Sequence, residues 1–174
     1  MKKIITIIII LIVAIALFVI IRPQQTEEIT SFEECVEAGY PVMESYPQQC
    51  KTPDGKTFTE NIGNELEKDH LIRITSPRPN EIIQSPLTIK GQAKGTWFFE
   101  ADFPIKLKDA NNNTIATAIA QTTEDWMTEE FISFQAELEF QKPETKEGTL
   151  ILEKANPSGL PENEDQLIIP IKFK

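Results

Sequence analysis

The sequence predicts an all-β protein, an antiparallel β-sandwich of about seven strands, carried behind an apolar N-terminal helix and a small two-cysteine module. Three observations predict it. Apolar residues recur at every second position over much of the stretch from residue 71 to 174, the period of a half-buried strand. Cys35 and Cys50, the only two cysteines among 174 residues, lie upstream of that stretch. The chain opens with an uncharged run from Ile4 to Ile21. Composition excludes several other classes. The net charge is −10, and removing Lys2, Lys3 and Arg22 leaves 14 basic side chains against 27 acidic, a surface that repels nucleic acid. One histidine and two cysteines are too few for a Cys₂His₂ or Cys₄ zinc centre. Seven glycines fall in no phosphate-binding pattern, and no cofactor or metal is expected.

Taken in order, the first element is a membrane span. Thr6 is the only polar residue between Ile4 and Ile21, and the run nearly matches a hydrocarbon core about 30 Å thick. Lys2 and Lys3 in front place the N-terminus in the cytoplasm and everything after Arg22 outside, as a single-pass cell-membrane protein. The alternative is a cleaved signal peptide, for which Ala14-Ile15-Ala16 supplies a small-x-small site. Cleavage there would leave the apolar stub Leu17–Ile21, which favours an uncleaved anchor over residues 1–22. Residues 23–29 are polar and helix-averse, a linker.

Residues 30–60 form the two-cysteine module. Ser31-Phe32-Glu33-Glu34 has capping-box spacing, and Gly39 and Pro41 stop the helix, so Phe32 to Ala38 reads as about two turns. A helix that short is marginal alone. Outside the cytoplasm Cys35 and Cys50 can pair, and closing such a loop stabilises by roughly 3 kcal/mol. A redox pair is the competing reading, but redox motifs separate their cysteines by two residues and here fourteen intervene. Pro53-Asp54-Gly55 marks a turn. Residues 61–70 lack a sustained apolar period and read as a charged linker. His70 at its end reads as a solvated side chain.

The sandwich strands follow. Leu87, Ile89, Gly91 and Ala93 alternate with Thr88, Lys90 and Gln92, and Phe134, Ala136, Leu138 and Phe140 alternate with Gln135, Glu137 and Glu139. Ile105 and Leu107, then Leu167, Ile169, Ile171 and Phe173, show the same period. Adding Leu71–Thr75, Thr114–Gln121 and Gly148–Glu153 gives the strand count of an immunoglobulin-like sandwich. Pro170 requires an unpaired edge or a bulge beside the last strand.

Two segments carry resemblances. Ser31 to Cys35, Gly39-Tyr40-Pro41-Val42, Tyr46 to Cys50 and Asp54 to Phe58 resemble a small cysteine segment found ahead of envelope domains in membrane-anchored bacterial proteins. Further on come Ile74-Thr75-Ser76-Pro77, Ser85 to Ala93, Trp97 to Phe103, Trp126-Met127-Thr128, Asn156-Pro157-Ser158-Gly159 and Ile169-Pro170-Ile171. In that order they resemble the immunoglobulin-like domain of bacterial spore germination proteins across residues 71–174. The resemblance implies an extracytoplasmic β-sandwich of the cell envelope without catalytic residues.

Candidate sites are few. Asp109-x-Asn111-x-Asn113 begins like a calcium loop, but Thr114 and Ala120 stand where glycine and glutamate are needed, so an asparagine-rich hairpin is the better reading. Trp97 to Phe103, read as one strand, puts Trp97, Phe99, Ala101 and Phe103 in the core and Phe98, Glu100 and Asp102 outside. Phe98, Glu100 and Trp126 then form a candidate binding surface, since aromatics beside carboxylates suit sugar or peptide contacts. Glu100 and Asp102 could serve a wall-active hydrolase only at the floor of a cleft, and Glu137 and Glu139 repeat their spacing. The sequence thus points to a non-enzymatic binding or adhesion module for cell-wall polymer or an envelope partner protein. A structural accessory subunit of an envelope complex and a hydrolase are the alternatives.

Overall fold

The computed structural model describes residues 28–174. The anchor expected at residues 1–22, and most of the linker after it, lie outside the described residues. Among the described residues no helix is long and apolar enough to cross a membrane.

The two-cysteine module forms as its local signals require. Helix α1 (Phe32–Glu37) starts where the Glu34 amide donates to Ser31 Oγ at 3.1 Å. The Glu34 carboxylate accepts from the Thr30 amide and hydroxyl, one residue ahead of the capping-box position, and these bonds hold its carboxyl below the usual range. The helix ends with Gly39 N–H donating to Val36 O and Tyr40 N–H to Cys35 O, a Schellman pairing. Three short antiparallel strands follow: β1 (Val42–Met43), β2 (Gln49–Lys51) and β3 (Thr57–Thr59). The Cys35–Cys50 disulfide ties α1 to the central strand, and both cysteines are wholly buried.

The sandwich contains β4 (Ile72–Ser76), β5 (Ile82–Ile83), β6 (Leu87–Lys94), β7 (Asp102–Asp109), β8 (Thr114–Gln121), β9 (Phe131–Leu138), β10 (Glu147–Glu153) and β11 (Gln166–Phe173). All seven expected strands are present, and β5 is the addition. Their hydrogen-bonded order is β4-β6-β9-β8-β7-β10-β11-β5, with β8 and β9 joined only at Gln121 and Gln135. At that joint the sheet folds over, so that β4-β6-β9 faces β8-β7-β10-β11-β5 across one apolar core. Phe103 of β7 meets Phe134 of β9 edge to face, with ring centres 4.9 Å apart, and bridges the two layers. The β7–β8 hairpin is the asparagine turn expected: Asn112 has φ +66°, and Asp109 accepts from the amides of Asn111 and Asn113 and from Asn113 Nδ2. Those bonds, the Asn113 side chain foremost, hold the Asp109 carboxyl below its usual range.

Residues 61–70 are not a free linker. They carry a one-turn helix, α2 (Glu65–Lys68), with Ile62 and Glu65 buried, and they are sewn onto β11. Asn64 Oδ1 accepts from Ile168 N–H at 2.7 Å, Asn64 Nδ2 donates to Gln166 O at 2.9 Å, and the Asn64 amide donates to Ile168 O. One asparagine thereby satisfies the strand edge much as a neighbouring strand would. Gly63 makes the approach possible: its φ is +70°, and a Cβ there would sit 1.9 Å from Ile168 O. Asn80 N–H donates to Pro170 O, and β5 pairs parallel with Lys172 and Phe173. Pro170 is therefore on an edge without a regular strand beside it, where its missing N–H leaves no gap. The charged composition of 61–70 concealed this because its partners are backbone atoms of a strand about a hundred residues away.

The module also touches the sandwich. Asn80 Nδ2 donates to Glu60 Oε1 and Asn61 O. The Tyr46 hydroxyl donates to buried Glu65, which also pairs with Arg78 Nη1 at 2.6 Å, and Arg78 reaches both Tyr46 and the Ile74 carbonyl. Burial, reinforced by the bond to Glu65, pushes the Tyr46 hydroxyl pKa far upward.

Asn64→Ala should cost about 1–3 kcal/mol, because Ile168 N–H and Gln166 O lose a built-in partner. For a chain of this size that is a fall of several degrees in melting temperature. A calorimetric scan of the variant beside the parent measures it; an unchanged midpoint means water replaces Asn64 without loss.

Candidate functional site

The most distinctive surface lies where β6 passes into β7, and its geometry corrects the expected register. After Lys94 the chain makes a 3₁₀ turn over Gly95–Trp97. Gly95 lies under the loop from Thr122 to Glu130, where a Cβ would meet Thr128 O and Trp126 O at 2.1 Å. Trp97 is buried at 1% exposure, with its carbonyl accepting from Ala155 N–H. Phe99 N–H then donates to Asp102 O and Asp102 N–H to Phe99 O, closing a two-residue hairpin turn. Its central residues, Glu100 and Ala101, have φ of +54° and +67°, the signature of a type I′ turn.

That turn breaks the alternation on which the two-faced strand rested. Phe98, expected at the surface, is 5% exposed and stacks edge to face on Phe103 at 5.1 Å. Phe99, expected in the core, is 43% exposed. Trp97 and Phe103 are core, as expected. The expected surface of Phe98, Glu100 and Trp126 is therefore not assembled: Phe98 lies beneath it, Glu100 is at the exposed tip of the turn, and Trp126 is half-buried. What the structure does bring together is Phe99 and Trp126, with ring centres 6.4 Å apart, beside Met127 at 77% exposure. Phe99 and Met127 were not expected there. Neither Asn nor Gly occupies the turn to mark it in the sequence.

The loop bearing Trp126 and Met127 is fixed by its own side chains. Thr122 Oγ1 accepts from Glu124 N–H, Asp125 Oδ1 from Met127 N–H, and Thr128 Oγ1 from Glu130 N–H. Glu124 Oε1 also accepts from Ser133 N–H at 2.9 Å, tying the loop to β9. The result is a preformed apolar patch of Phe99, Trp126 and Met127, rimmed by exposed Glu100 and Glu129. A small hollow of about 340 Å³ lies between Gly95, Phe98, Trp126 and Met127. Among the described residues, Glu100 and Asp102 line neither of the two larger clefts, of about 840 and 920 Å³. The cleft of about 840 Å³ is instead bounded by Asn64, Lys68, Lys106, Glu153 and Asp165, with Lys68 paired to Asp165 and Lys106 to Glu153. Among the described residues no cluster of histidine, cysteine, aspartate or glutamate could hold a metal ion.

A folded-over antiparallel sheet of this order defines an immunoglobulin-like β-sandwich. Residues 71–159 match the family model described as the immunoglobulin-like domain of bacterial spore germination, and the chain belongs to that family. The match ends before β11, whose Leu167, Ile169, Ile171 and Phe173 nonetheless complete the core. No curated protein and no solved structure matches the chain.

Two outcomes follow from this geometry. Phe98→Ala should cost about 3–5 kcal/mol and Phe99→Ala within about 1 kcal/mol, as buried and exposed aromatics differ; chemical denaturation of the two variants separates them, and equal losses contradict the burial assignments. Ala101→Gly should stabilise the chain by about 1 kcal/mol, since glycine relieves a left-handed conformation that costs alanine about that much. An unchanged or lower denaturation midpoint would show that the turn carries no relievable strain.

Proposed function

We propose that this protein is a non-enzymatic, membrane-anchored module outside the cytoplasm that binds cell-wall polymer or an envelope partner protein through Phe99, Trp126 and Met127. The observation carrying the reading is the patch itself: two aromatic rings and a methionine held in the open by a strained turn and a side-chain-locked loop. Strain of that kind, of order 1–3 kcal/mol per residue, is retained where the surroundings or the function require it. Aromatic faces give large contact area at low entropy cost, which suits sugar rings and extended peptide alike. The family membership, the disulfide and the uncharged N-terminal run with its two lysines support an extracytoplasmic, tethered setting.

The full-length protein in mild detergent should sediment with purified peptidoglycan sacculi. Phe99→Ala and Trp126→Ala should each weaken that binding by roughly thirtyfold, the equivalent of losing an anchor worth about 2 kcal/mol; the melting curve of Phe99→Ala stays near the parent's, whereas Trp126→Ala also loses some core packing. Capture of an envelope protein in place of sacculi, lost in the same variants, selects the partner-protein branch. Binding that survives both substitutions refutes the patch. For the setting, protease added to intact spheroplasts should digest the C-terminal region. Full protection refutes the topology.

A further inference from the structure

The edges of this sandwich are protected in several ways, and one is not. β4 is five residues long, bulged between Ile74 and Ser76, and carries Arg73, while its Ile74 carbonyl accepts from Arg78. β5 is only two residues long. The outer edge of β11 is satisfied by Asn64, Asn80 and β5. On β9 the Ser133 amide is capped by Glu124. These are the usual devices by which native sheets keep an edge from recruiting a strand.

β8 has only one of them, a register shift at Ile115, where Leu107 faces Ala116 and Lys108 faces Thr114. It is eight residues long, Thr-Ile-Ala-Thr-Ala-Ile-Ala-Gln, with no charge, proline or glycine. β7 pairs along one side of it, whereas on the other side only Gln121 is paired with β9, and Ile119 lines a cleft between the two strands. Thr122 N–H donates to Ala101 O on the β7 side, so alternation turns the N–H and C=O of Thr117 and Ile119 to the open side. Among the described residues nothing accepts from or donates to them there. Thr117 is exposed and Ile119 is 51% exposed.

The sequence of this edge is also its own complement. Ile115-Ala116-Thr117-Ala118-Ile119 reads the same in both directions. An antiparallel pairing of two copies about a two-fold axis at Thr117 therefore sets threonine against threonine and Ala116 against Ala118, while Ile115, at the register shift, packs on the core. Threonine pairs are favourable across strands, and no like charges meet. We propose that the β8 edge is a homotypic docking surface, at which two copies of this chain join their sheets through antiparallel β8–β8 pairing centred on Thr117. A two-fold contact of this kind closes on itself and yields a dimer, not a fibre. The contact is small and belongs to the weak class of interfaces, so covalent trapping is the suitable readout.

The test uses the full-length chain carrying Thr117→Cys. Cys35 and Cys50 are buried and bonded to each other, so the new thiol is the only free one. The pairing brings the two Thr117 Cα atoms to about 5.5 Å, within the range that a disulfide spans. Mild oxidation should give at least about tenfold more disulfide dimer than Thr88→Cys, an exposed position on β6, because pairing raises the effective thiol concentration above that of the bulk. Ile119→Cys alone should behave like the Thr88 control, since the two-fold axis holds the Ile119 pair about 13 Å apart. Adding Ile119→Pro to Thr117→Cys should abolish trapping, because that N–H faces the open edge and the ring blocks a neighbouring strand. Ile119→Lys, which leaves the backbone unaltered, is the companion should proline lower the melting temperature. Dimer from Thr117→Cys no greater than from Thr88→Cys overturns the proposal. So does equal trapping at Ile119, or trapping that survives Ile119→Pro in a chain that melts normally.

Discussion

The constraint on which this structure depends is the closure of the β11 edge. β11 supplies Leu167, Ile169, Ile171 and Phe173 to the core, so its position decides whether the second layer is filled. Yet only β10 pairs with it along its length; the short β5 reaches just its last two residues. The remaining polar groups are met by Asn64 and Asn80, residues that lie before and after β4. The same two segments carry the contacts to the two-cysteine module, through Glu60, Asn61 and Glu65. Sheet closure and docking of the module are thus one arrangement, and residues 61–70 cannot swing freely without opening the strand edge.

How much was legible in the sequence follows from the range of each interaction. The seven strands could be read because the period of two is local and each strand buries one face. The helix cap, its stop at Gly39 and the asparagine hairpin were readable for the same reason, each being decided within five residues. The docking of 61–70 was not. Asn64 acts on backbone atoms of Gln166 and Ile168, and a side chain that imitates a strand leaves no periodic trace. β5 was missed because two residues show no alternation.

The candidate site failed for a narrower reason. Reading Trp97 to Phe103 as one strand was correct at both ends, since Trp97 and Phe103 are buried, and for exposed Glu100, but wrong for Phe98 and Phe99. A two-residue I′ turn at Glu100-Ala101 restores the direction of the core residues while exchanging the roles of Phe98 and Phe99. Such turns are ordinarily announced by Asn-Gly or Asp-Gly. Here neither residue is well suited to a left-handed backbone, so local preference pointed one way and tertiary packing another. The conflict is resolved by the burial of Trp97 and Phe98 directly after the covered Gly95, which fixes where the chain must reverse. Natural sequences keep most levels consistent, and a site where they disagree is where function is best sought.

The loop from Thr122 to Glu130 connects these features. It starts at the single pair that joins the two layers, presents Trp126 and Met127 to solvent, and uses Glu124 to cap the first open amide of β9. Capping β9 with a side chain lets β8 diverge without leaving the Ser133 amide unmet, while β8 itself receives no equivalent cap. A sandwich that continued regular pairing from Gln121–Gln135 would have no open β8 edge, and its layers could not fold over at that point. The fold that creates the core therefore creates the exposed edge, and the same loop places the aromatic patch at one end of β8.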